Sequence, residues 1–303
     1  MGITQIGDVR CILGEGPWWD VREQALYFVD VLGKTLWRYD ERSDAFTHRD
    51  MPASISSIAF DGQGGAIVAM QSGLHHLSLD THQLTPICNP ARSDTRLLLN
   101  DGKADARGRF VIGTVVTTGS EAIAGLHSLR PDGVTVQLDT GFGITNGPCW
   151  SPDSSLFYLA DSTRKIIYAY DYDLDSGAIS GKRLFADLTR FDGIPDGATV
   201  DSAGRLWTAL CDGANILCID PAGKVVESID FPTGFPTSLM FGGAKLDRLY
   251  VTSLDIGALS SVEAAAGAKH RADDRGGRLF VIDGLGATGV PEHHVSAAHA
   301  PVA

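Results

Sequence analysis

Short apolar runs of about six residues, each bounded by polar turn residues, recur along the whole chain. They are ALYFVD at residue 25, GAIVAM at 65, RFVIGT at 109, LFYLAD at 156, RLWTAL at 205 and RLYVTS at 248. Their starts lie 40, 44, 47, 49 and 43 residues apart. Before each comes a turn such as DVREQ, DGQGG, DARG or SPDSS. After most comes a second run ending in an acidic turn, such as TLWRYDERS or ILCIDPAG. β-Branched and aromatic residues between turn residues predict strands. Apolar spacing at a period of 3.6 is never sustained. Only ALSSVEAAAGAKH at 258–270 departs, and it reads as an insertion loop with at most one helical turn. A period in the forties with several short strands per unit predicts a β-propeller blade. Six periods fit the chain, giving a single all-β six-bladed domain over residues 1–303. RLFVID at 278–283 then belongs to the last blade, and the N-terminal segment is expected to help close the ring and remove exposed sheet edges.

The same periodicity exposes a second pattern. Five residues before each turn aspartate, or the residue standing in its place, lie Glu15, Ser56, Asn100, Asn146, Asp196 and Thr237, spaced 41, 44, 46, 50 and 41 apart. Any one Asx-Gly pair reads first as a turn. Oxygen-bearing side chains at one position in every blade read differently, because innermost strands line a central channel and equivalent positions form a ring. Buried carboxylates and carboxamides are costly unless something binds them. A hard divalent cation prefers oxygen ligands and neutralises the two negative charges of Glu15 and Asp196. Gly16, Gly147 and Gly197 follow the candidate ligands directly, as expected where strands converge on the axis.

Composition narrows the functional classes. The 303 residues are 44% hydrophobic and 20% charged, as in ordinary globular proteins. The net charge of −12, without a Lys/Arg run, argues against a nucleic-acid surface. Five cysteines with no CxxC pair fit reduced thiols in a cytoplasmic protein. No signal peptide and no membrane-spanning run is read. GLGATG at 284–289 lacks the βαβ context of a dinucleotide site. His293, His294 and His299 are read as a mobile tail, Cys149 as a small core residue, and Trp18, Trp19, Trp150 and Trp207 as blade core. No GxSxG elbow or HExxH motif is present.

The segments LGEGPWWD, LNDGKADARGRFVIGT, ITNGPCWSPD and IPDGATVDSAGRLWTAL together resemble the senescence marker protein/gluconolactonase/luciferin-regenerating enzyme family, the regucalcin-like lactonases, across residues 13–210. FPTSLMFGGAKLDRLYVTS resembles that family's next segment. The resemblance implies a six-bladed propeller with one divalent metal that hydrolyses lactones. Carried over by position, the metal ligands are Glu15, Asn146 and Asp196, and Asn100 contacts substrate. An all-oxygen set favours calcium, with magnesium, manganese, zinc or ferrous iron as alternatives. Asp196, beside the activated water, is the expected general base. Asp101 either tunes the site or caps a turn.

Two positions depart from the family. Leu98 stands where several members carry an arginine, with Arg96 two residues upstream. Thr117 and Thr118 stand where some relatives place an acidic residue, with Glu121 delayed. The pocket is therefore expected to be less polar at one end and to favour a lactone with fewer hydroxyls, unless Arg96 folds back into the channel. A metal-dependent phosphotriesterase or a non-catalytic calcium-binding propeller are the competing readings.

Overall fold

The computed structural model describes residues 1–259 and 275–296. Six four-stranded antiparallel sheets stand side by side around an axis. Their innermost strands are Gly14–Asp20, Ile55–Phe60, Leu97–Ala104, Thr145–Trp150, Ile194–Val200 and Pro236–Gly242. Each touches the next, and Pro236–Gly242 returns to Gly14–Asp20, so the strands close a ring. We number the blades one to six in this order. The protein is a six-bladed β-propeller, as the periodicity predicts. The predicted insertion at 258–270 lies almost entirely outside the described residues; a 3-10 turn at Ile256–Ala258 precedes it.

The last blade joins the two ends of the chain. Gly2–Ile6 pairs antiparallel with Leu279–Asp283, which pairs with Arg248–Ser253. The N-terminal strand thus covers what would be an open edge. Each inter-blade seam holds its own cluster of buried apolar side chains. At the closing seam, Trp19 of blade one stacks on Tyr250 of blade six at 5.3 Å. Burying each such large side chain stabilises the fold by about 1.5–3 kcal/mol. Trp18, Trp19, Trp150, Trp207 and Cys149 are all buried, as expected. All five cysteines are free thiols.

The turn aspartates at the far end of the inner strands hold the hairpins. Asp105 accepts the backbone N–H groups of Arg107 and Arg109 at 2.9 and 2.8 Å, Arg109 Nη1 at 2.6 Å and the Tyr172 hydroxyl at 2.6 Å. Asp201 accepts the N–H groups of Ala203 and Arg205, Arg205 Nε at 2.7 Å and Trp207 Nε1 at 2.9 Å. Both are buried and fully paired, the arrangement that makes a buried carboxylate tolerable.

One sequence reading needs correction. The segment carrying His293 and His294 is docked across the end of the channel where the inner strands finish. Ser202 N donates to Thr288 O and Gly289 N to Leu246 O, on blades five and six. Val295 N then donates to Phe60 O and Ser296 N to Gly108 O, on blades two and three. The His294 ring lies 5.4 Å from that of Trp18, and Val295 is buried. The expectation failed because the segment is held by backbone bonds, an ion pair from Glu292 to Lys103 and the buried Ala287 and Val295, none of which has a local sequence signal. His299 lies outside the described residues.

Candidate metal and substrate site

Each inner strand carries a register irregularity at the same depth: between Glu15 and Trp18, Ile55 and Ser57, Leu99 and Gly102, Asn146 and Cys149, Pro195 and Ala198, and Pro236 and Leu239. A bulge re-aims the side chains beside it. Glu15, Ser56, Asn100, Asn146, Asp196 and Thr237 all sit at these six bulges, so the recurring sequence position corresponds to a recurring irregularity. The glycines after them are required. Gly16 and Gly147 have φ of +52° and +58°. A Cβ on Gly147 would lie 2.7 Å from the Ala198 side chain and 3.0 Å from Asp196 O, too close for any larger residue.

The ring is not uniform. The Thr237 hydroxyl is committed to Gly14 O and to Thr252, tying blade six to blade one. Asn146 is buried and oriented from two sides. Its Nδ2 donates to Ser162 Oγ at 3.0 Å, and Ser162 Oγ donates in turn to Pro195 O at 2.6 Å. Its Oδ1 therefore faces Asn100, whose Nδ2 donates to it at 2.7 Å and to Thr145 O at 2.9 Å. Asp101 accepts Gly147 N at 2.9 Å, so it braces the glycine beside Asn146 from the neighbouring blade.

The carboxylates here lack what Asp105 and Asp201 have. Among the described residues, neither Glu15 nor Asp196 pairs with a lysine or arginine. Glu15 accepts only its neighbour Gly16 N, at 3.2 Å. Burial pushes the Glu15 carboxyl well above the usual range, and Asp196 and Asp101 push it further. Burial and then Asp101 do the same to Asp196, opposed by the N–H of Gly197 and the Cys211 thiol. Asp101 is raised by burial and partly relieved by Lys103. Three mutually repelling carboxyl groups in one channel are what a cation would relieve. No three His, Cys, Asp or Glu side chains among the described residues gather closely enough to hold an ion alone. The candidate set works only with the Asn146 amide oxygen, and its chemistry fits a hard divalent ion.

The predicted substrate residues divide. Asn100 lies against Asn146, within the site. Leu98 is half-buried on the same strand, paired with Val115. Arg96 does not fold back: its guanidinium is bound to Asp94 at 2.7 Å and to Glu121, and its backbone oxygen accepts from Thr117. The bulge on this strand falls between Leu99 and Gly102, three residues beyond Arg96. Thr118 is exposed on the following loop. Sequence reasoning missed Ser162 and Cys211. Ser162 follows the strand Leu156–Asp161 as an ordinary serine, and only the fold shows it orienting Asn146.

The family pattern described as the SMP-30/Gluconolactonase/LRE-like region matches residues 13–255, which span all the bulges just described. The chain belongs to this family. It is 32% identical over 301 residues to regucalcin from Gallus gallus, covering 96% of this chain and 97% of that one. It is 34% identical over 294 residues to pentonolactonase XacC from Haloferax volcanii, again covering 96% and 97%. Among solved structures, a luciferin-regenerating enzyme superposes with a TM-score of 0.90 at 28% identity, over 97% of this chain and 99% of that one. A regucalcin from Agrobacterium tumefaciens, described as a calcium-binding protein, superposes with a TM-score of 0.85 at 23% identity, over 96% of both chains. The last comparison bears on the fold alone. Family membership supports a lactonase, with a small lactone as substrate. No helix among the described residues is long and apolar enough to cross a membrane.

Proposed function

We propose that this protein is a divalent-metal-dependent lactonase whose ion is held by Glu15, Asn146 and Asp196, calcium being favoured by the oxygen donors. The observation that carries the reading is the unpaired, mutually repelling set of carboxyl groups at the bulges of one channel. The ion, when bound, would polarise the lactone carbonyl and acidify a water. Asp196, which no lysine or arginine among the described residues neutralises, would use a carboxylate oxygen turned away from the ion to accept the proton of the attacking water. Both Asn100 Nδ2 hydrogens are taken by Thr145 O and Asn146 Oδ1, which leaves its Oδ1 to accept a hydrogen bond from a substrate hydroxyl. Ser162 holds the Asn146 amide so that its oxygen faces Asn100. The products are the opened hydroxy carboxylate and a proton, so acid release follows turnover directly.

On specificity, Leu98 offers no donor, and Arg96 is held by Asp94 and Glu121. A substrate hydroxyl buried against Leu98 loses its water partners at about 1–3 kcal/mol each. The pocket is therefore suited to a lactone with fewer hydroxyls at that end, and aldonolactones are the poorer class. The test is acid release from a panel of hydroxylated and alkyl lactones, with and without added divalent ions. Metal-dependent opening of any lactone, lost with a chelator and restored by metal, supports the proposal. Full activity in exhaustively metal-free protein refutes the metal mechanism. Tight calcium binding with no turnover across the panel favours a calcium-binding propeller instead.

A further inference from the structure

The strand that carries Asn100 and Asp101 continues to Lys103, about 10 Å further along at an ordinary strand rise. Lys103 is the next-to-last residue of that strand, Leu97–Ala104. It donates to Ala198 O at 3.3 Å and pairs with Glu292 of the docked C-terminal segment at 3.1 Å. The two side chains are only 15% and 8% exposed. Asp101 and Lys103 border one void of about 20 Å³, together with Gly16, Pro17, Ala198 and Ser238. Such a space holds at most about one water, so little solvent screens one end of the channel from the other.

The fields connect. Lys103 lowers and Glu292 raises the Asp101 carboxyl, and Asp101 in turn raises Glu15 and Asp196. Lys103 stays charged despite its burial because Glu292 and Asp101 outweigh the cost of desolvation. A fixed positive charge beneath a cation site opposes the cation. Glu292, arriving from the other end of the chain, neutralises that charge without touching the site.

We propose that Lys103 and Glu292 together set the cation affinity of the channel, Lys103 weakening it and the C-terminal Glu292 masking Lys103. Neither residue touches substrate or ion; both act through the field. The inference rests on the metal reading above. It gives the docked segment a role that packing alone does not: the segment tunes the site from the opposite mouth.

The opposite signs of the two effects make it testable. Calcium, and separately manganese, are titrated by isothermal calorimetry into the wild-type chain, Glu292→Gln, Lys103→Met and the double variant. Glu292→Gln exposes the lysine charge and should raise Kd about tenfold. Lys103→Met should lower Kd by a similar factor. The double variant, with both charges removed, should return to within about twofold of wild type, because the two opposite fields add and cancel. The shifts should survive high salt, which would erase an effect carried through bulk solvent. Weakening by both single substitutions would mark the pair as packing only, and an unchanged Kd in Glu292→Gln would equally overturn the inference. Glu292→Gln keeps the side-chain shape, so it decides alone if Lys103→Met fails to fold. A wild-type chain that binds neither ion would sink the metal reading itself, a result distinct from binding that the variants leave unmoved.

Discussion

The two ends of the inner strands put carboxylates to opposite purposes. At the finishing end, Asp105 and Asp201 accept from backbone N–H groups, an arginine and an aromatic side chain, and every lone pair has an assigned donor. At the starting end, Glu15 and Asp196 have burial without cation partners and repel one another. Folding alone gains from the first arrangement and loses from the second. A carboxylate set kept at a cost to the fold is where a ligand is to be sought. The same kind of comparison separates Arg96, satisfied by Asp94 and Glu121, from Leu98, which has no donor to offer.

The sharpest way to break this comparison is to neutralise one carboxylate at each end. Asp196→Asn should cut kcat/KM for lactone opening by at least about 10³-fold, the upper range for a lost general base combined with a weakened metal site. The metal-free melting temperature should stay level or rise, since a repulsion is removed. Asp201→Asn should do the reverse. It strands the Arg205 guanidinium and should cost about 3–5 kcal/mol of stability in denaturant titration. Whatever fraction stays folded should keep wild-type kcat/KM. Activity surviving Asp196→Asn, or stability surviving Asp201→Asn, would erase the distinction.

Saturating divalent ion should stabilise the wild-type fold by about 2.7 kcal/mol at a hundredfold excess over Kd, read as a rise in melting temperature. Asp196→Asn should lose most of that rise, and Asp20→Asn should keep it.

The two ends should also differ in the sign of their pH dependence. Glu15 and Asp196 bind protons more tightly folded than unfolded. Their contribution in metal-free protein is complete below about pH 4, where the unfolded carboxyls titrate, and is lost as pH rises through the raised folded values. Asp20 behaves oppositely. Burial alone would raise it, but Arg22 and the N–H groups of Arg22 and Glu23 hold it lower overall. Its contribution is present above about pH 4 and lost as pH falls through the lowered value. Denaturant midpoints of Asp196→Asn and Asp20→Asn against wild type, from pH 4 to 8, should diverge in these directions. Added metal should flatten the Asp196 component.

The smallest effects belong to the rim. Leu98→Arg should shift the kcat/KM ratio of aldonolactone to alkyl lactone upward by about tenfold, roughly one charge-assisted hydrogen bond. Arg96→Ala should change it by less than about threefold. A larger effect from Arg96 would show that its ties to Asp94 and Glu121 open in the substrate complex.

How much of the molecule is legible in its sequence follows from how local each feature is. The blades are legible because every blade repeats the same strand and turn chemistry. Glu15, Asn100, Asn146 and Asp196 stand out because the period aligns them at one position of the blade, and the family resemblance alone singles out Glu15, Asn146 and Asp196 among them. The bulges that give those positions their common meaning are not legible, since a bulge is a property of pairing between strands. Ser162 is invisible for a related reason: it acts across a strand pair, with no spacing of its own. The docking of Glu292 onto Lys103 joins distant parts of the chain through a tail with no repeat, so the same residues read as an untethered terminus. Thr237 falls in phase with the ring, yet its hydroxyl serves the seam with blade one.

The central claim is that the unpaired end of the channel holds one cation. Isothermal titration of calcium and of manganese into metal-stripped protein tests it most directly. The account predicts one ion per wild-type chain, none in Glu15→Gln/Asp196→Asn, and one still in Asp20→Asn. Binding that persists in the double variant, or a wild-type chain that takes up neither ion, would contradict it.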